Sequence, residues 1–138
     1  MLAEPLDLHA DALAGLEEAI DRLQAEDLHL CGGTGLGPRL KALRWAVNRL
    51  EAEAARTLDV FDRTQAYASK GSLSAASWLR HRCNLSYSTA SGQVQLARRL
   101  PELPQARAAF ASGDISSAHV SLISRAADQV GGPRTLRG

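Results

Sequence analysis

Apolar residues recur near the start of the chain at Leu13, Leu16, Ile20 and Leu23, spaced three, four and three. That is the seam of an amphipathic helix, expected over Ala10 to Leu28. The pattern stops at CGGTGLGP, Cys31 to Pro38. Each glycine costs a helix interior about 1 kcal/mol relative to alanine, so this segment predicts a linker. Pro38 then suits the first position of a second helix, whose stripe is Leu40, Leu43, Val47, Leu50, Ala54, Leu58 and Phe61. Two long striped helices joined by a short loop predict an antiparallel hairpin. The same stripe can instead pair with a second copy, which leaves a homo-oligomer through the long helices as the alternative.

Beyond Gly71 the periods shorten. Ser72 is the expected N-cap of a helix from Leu73 to Cys83, and Asn84 suits the left-handed residue that ends it. Ser86 caps the next helix, which runs to about Leu100, where Pro101 and Pro104 interrupt. A helix from Gln105 to Ser112 stops at Gly113, and Ser116 opens a last one to about Val130. The tail GGPRTLRG (131–138) carries no core pattern and is expected to fray. The reading is all-α: a long antiparallel helical hairpin followed by a cluster of shorter helices with a helix-turn-helix-like pair. It forms one helical domain over 1–130.

Composition agrees. Of 138 residues 45% are hydrophobic and only 4% aromatic, which suits alanine- and leucine-rich helix packing better than a β-sandwich. Cys31 and Cys83 are too few for a disulfide framework or a zinc site. With no signal-like N-terminus and no apolar run of membrane-spanning length, the expected place is the cytoplasm, with no membrane partner. His9, His29, His81 and His119 are scattered, without a metal-site companion. The glycine segment lacks the Lys-Ser/Thr ending of a phosphate-binding loop. No nucleophile elbow, cofactor site, metal site or small-molecule substrate site is evident, so the expected module is non-catalytic.

Charge changes the picture more. The net charge of +1 hides eight acids against one base over residues 1–30, and six bases against one acid over residues 70–110. The middle of the chain is the part able to attract a polyanion such as double-stranded DNA. It holds Ala75 to Leu100, which has the outline of a helix-turn-helix, whose second helix enters the major groove. Leu79 and Cys83 are expected beneath the turn, Leu85 plugging it, and Ala90 at the helix contact. Ser88, Ser91, Gln95 and Arg98 share the opposite face, with Arg99 beside them; these types contact base edges and phosphates. Arg80 and Arg82 are the expected backbone-phosphate contacts. Arg80 stands where such motifs want a small residue, and the turn residue is Asn rather than Gly. An ordinary helical hairpin with a basic solvated face gives much the same string and remains the alternative.

Trp78-Leu79, Leu85-Ser86, Leu100-Pro101 and Gly113-Asp114-Ile115-Ser116 occur in this order. With the long helix from Leu40 to Ala68 before them, they make residues 38–130 resemble the N-terminal domain of the actinobacterial 13E12-repeat family, the helical domain of unknown function 222. The resemblance implies association with nucleic acid, beside an HNH endonuclease domain that commonly follows. This chain has no counterpart of the His-Asn-His set and ends where family members continue, so it resembles a truncated copy, a fragment or a degenerate remnant. The expectation is an accessory nucleic-acid-binding or positioning module. The alternatives are a protein-interaction or oligomerisation module and a remnant without ligand.

Overall fold

The structure, a computed structural model, describes residues 4–137. Among them it holds six α-helices and no strand: α1 (Glu4–Ala25), α2 (Gly32–Arg63), α3 (Ala75–Arg82), α4 (Tyr87–Arg99), α5 (Pro104–Ser112) and α6 (Ser117–Arg137). Three 3-10 turns, Leu28–Cys31, Ala66–Lys70 and Leu100–Glu102, complete the order. The all-α class is as the sequence indicates. The residues group in two compact units, 1–40 and 41–138. No helix among the described residues is long and apolar enough to cross a membrane.

The glycine segment is the largest correction. Instead of a linker ending at Pro38, α2 starts at Gly32 and carries Pro38 inside it. A proline ring crowds the Cβ of the residue before it when that residue is helical. Residue 37 is a glycine and has no Cβ, so the helical conformation stays open there. The reversal is made earlier, where Asp27 caps the 3-10 turn by accepting from the His29 amide at 3.0 Å. Within this first unit Arg39 donates to the Leu23 carbonyl at 3.1 Å and pairs with Glu26, fastening the start of α2 to the end of α1.

At its other end α2 stops at Arg63, short of Ala68, because Gln65 takes a left-handed conformation (φ 56°). The chain then turns so that Tyr67 meets Phe61, ring centroids 6.0 Å apart, while Trp78 lies 4.8 Å from Phe61 on another side. The cap of α3 is Ser74, not Ser72. The Ser72 amide closes the preceding turn on the Tyr67 carbonyl, and the Ser74 hydroxyl accepts from the Ser77 amide at 3.0 Å. Leu73 is therefore left outside the helix, 94% exposed. Asn84 (φ 58°) and Ser86, which accepts from the Thr89 amide at 3.2 Å, stand where the sequence placed them. The segment 131–137, expected to fray, is the last part of α6, and Gly138 lies outside the described residues.

The core belongs to the second unit. Ala55 and Leu58 of α2, Ala75 of α3, Val94 and Ala97 of α4, Phe110 of α5 and Val120 of α6 form one cluster with Leu100. Phe110 and Val120 are its largest fully buried side chains. Where α5 ends, Gly113 (φ 91°) presses on α2, and a Cβ there would lie 2.7 Å from the Trp45 ring. Asn48 donates to the Gly113 carbonyl at 3.1 Å, locking the approach.

Two glycine substitutions should therefore diverge. Gly113→Ala forces a side chain into a left-handed position and into Trp45, and urea unfolding is expected to show a clear loss of stability. Gly33→Ala meets nothing within 4 Å and should stabilise by about 0.5–1 kcal/mol. Phe110→Ala should cost roughly 3–5 kcal/mol.

Candidate nucleic-acid interface

The α3–α4 pair forms because its signals are local. Cys83 closes α3 by donating to the Leu79 carbonyl at 2.9 Å, Asn84 turns the chain, and Ser86 starts α4. Alanines set the approach between the two helices: Ala75, Ala90 and Ala97 are all buried. Arg80 points to solvent and does not obstruct the crossing. Leu79 packs against the core and Leu85 is half-buried, whereas Cys83, expected beneath the turn with Leu79, is exposed.

The seven expected contact residues fall into three groups. Arg80 and Arg82 lie in the last turn of α3, exposed, with no ion-pair partner among the described residues. Ser88 and Gln95 are exposed on α4, and Ser91 is half-buried. Arg98 and Arg99 are engaged in ion pairs within the chain, Arg98 with its side chain still 61% exposed. Arg98 makes a two-pronged pair with Asp62 of α2, Nε to Oδ2 at 2.7 Å and Nη2 to Oδ1 at 3.1 Å. The Asp62 side chain is 9% exposed, and its hydrogen bonds push the Arg98 guanidinium above its ordinary value. Arg99 donates to Ser124 at 3.1 Å and pairs with Glu102 at 2.7 Å and Asp128 at 2.8 Å. It thus ties α4 to α6 and to the 3-10 turn between α4 and α5.

Reasoning along one helix face missed this division. Asp62 lies thirty-six residues before Arg98 and Asp128 twenty-nine after Arg99, and no local signal in the sequence pairs them. Two other acids of α2 are paired in the usual helical way: Glu53 with Arg56, which holds the Glu53 carboxyl below its ordinary value, and Asp59 with Arg63. The His119 ring accepts the Ser116 amide at 3.2 Å and so helps to cap α6. No group of three metal-ligating side chains occurs among the described residues.

The arrangement can present two free guanidinium groups, at the end of α3, together with the hydroxyl and amide side chains of α4. A family model described as Domain of unknown function (DUF222) matches residues 38–137. Neither a curated protein nor a solved structure matches the chain.

Stability should separate the two kinds of arginine. Arg99→Ala is expected to cost about 1–2 kcal/mol by urea unfolding, since it breaks bonds to three partners. Arg80→Ala and Arg82→Ala should stay within about 0.5 kcal/mol of the parent.

Proposed function

The chain belongs to the family described as Domain of unknown function (DUF222), and from that premise we propose that it is a non-catalytic helical module that binds double-stranded DNA through the α3–α4 pair. The observation that carries the reading is the division of the arginines. Arg98 and Arg99 hold the fold, while Arg80 and Arg82 stand unpaired at the exposed end of α3. The basic balance of residues 70–110 supports the same direction, because a surplus of cations draws a polyanion and is screened by salt. In this reading Arg80 and Arg82 contact phosphates, and Ser88, Ser91 and Gln95 lie toward the bases. Arg98 adds a contact only where Asp62 releases it. Beside an HNH nuclease domain, as in the 13E12-repeat proteins it resembles, such a module would position the duplex for cutting elsewhere.

Fluorescence anisotropy of a labelled duplex at several salt concentrations tests this. Binding should weaken with salt, and Arg80→Ala/Arg82→Ala should reduce the log–log slope by roughly 1.8, at about 0.9 per phosphate contact. Asp62→Asn, which frees Arg98, should tighten binding. Salt-insensitive binding, or no binding at low salt, removes the reading.

One observation favours a second reading, self-association. No residue from 11 to 40 is buried, and Leu13, Leu30 and Leu40 are 63%, 84% and 62% exposed. Apolar surface of this kind is commonly covered by a partner. Light scattering should then give a mass that rises with concentration. A monomeric mass throughout the range excludes it.

A further inference from the structure

A cavity of about 380 Å³ opens in the second unit between α2, α4 and α6, above Phe110. That lies at the small end of the range for small-molecule sites. Its base is apolar, made chiefly of Leu58, Leu96 and Phe110, and hydroxyl and amide side chains such as Gln93 and Ser121 stand at its rim. Two details distinguish it from an incidental gap between helices.

The first is Gly92. It lies in the interior of α4, where glycine costs roughly 1 kcal/mol relative to alanine, and it has no positive φ that would require it. A Cβ at this position would meet nothing within 4 Å. No contact within the chain demands the glycine. What its missing side chain does is widen the cavity that it lines. The second is Glu51. The acids that follow it on α2, Glu53, Asp59 and Asp62, each face an arginine. Glu51 has no such partner among the described residues, and it lies at the cavity's edge. No Lys, Arg or His lines the cavity. The amides of Thr89 and His119, in the first turns of α4 and α6, are already taken by the Ser86 and Ser116 hydroxyls. The cavity's only full charge is therefore negative.

We propose that this cavity binds a small organic cation with an apolar body, its ammonium group on the Glu51 carboxylate and its body over Leu58, Leu96 and Phe110. Neither Arg80 nor Arg82 lines the cavity, although Ser88 does, and its negative charge repels the phosphates that those arginines would attract. Binding of a small amine here is read without any DNA present.

Two-dimensional NMR of the intact chain tests the proposal, with phenethylamine as the probe and hydrocinnamate as its carboxylate counterpart. The amine should shift the amides of Gly92, Gln93 and Ser121 saturably, and the carboxylate several-fold more weakly. Glu51→Gln should erase the preference between the two while leaving the fold intact, since residue 51 is exposed. Gly92→Leu, checked for helicity by circular dichroism, should abolish binding by filling the cavity. No saturable shift at these amides overturns the proposal. So does equal binding of the two probes by the parent, or undiminished binding by a folded Gly92→Leu variant.

Discussion

Phe110 is the side chain around which the second unit closes. With aromatics at 4% of the chain, there is little bulk to fill a core, and most buried positions are alanines or single aliphatics. Small side chains let helix axes come close, and at such distances one large ring can touch several elements. Phe110 shares its cluster with residues of α2, α3, α4 and α6. The left-handed Gly113 three residues later lets α5 end against Trp45 and Asn48 of α2. Placement of α4 and α6, and hence of everything they carry, follows from this packing.

Arginine has two competing uses on such a scaffold. A guanidinium held by a mostly buried carboxylate, as Arg98 is by Asp62, restrains two helices that meet through few large side chains. One left in solvent, as Arg80 and Arg82 are, restrains nothing and keeps its field for a ligand. Position decides which use applies. Arg98 and Arg99 lie at the C-terminal end of α4, where α2, α6 and the following turn bring Asp62, Asp128 and Glu102 within reach. No acid among the described residues pairs with the arginines in the last turn of α3, so its cations remain available.

The two faces of the unit differ in sign and in texture. Around the end of α3 the surface is basic and exposed, suited to a polyanion whose attraction is long-ranged and screened by salt. Between α2, α4 and α6 it is concave and mostly apolar, with Glu51 its only formal charge. Gly92 and Ser88 of α4 line this hollow, so a single helix contributes to both surfaces.

By itself the sequence determined the all-α class and most of the ends in the second unit. Asn84, Ser86, Gly113 and Ser116 act through hydrogen bonds and dihedral preferences that span three or four residues, and such signals survive any tertiary arrangement. Tertiary structure decided the rest. Ser74 rather than Ser72 caps α3 because the Ser72 amide is drawn back to Tyr67. The glycine segment is helical, against its propensity, in a unit where Arg39 fastens the start of α2 to the end of α1. Of the residues chosen for one polar face, Arg98 and Arg99 were turned to structural use by acids far away in the chain. Periodicity along one helix shows which residues share a face. It cannot show what another helix places opposite them, because that depends on packing between segments remote in sequence.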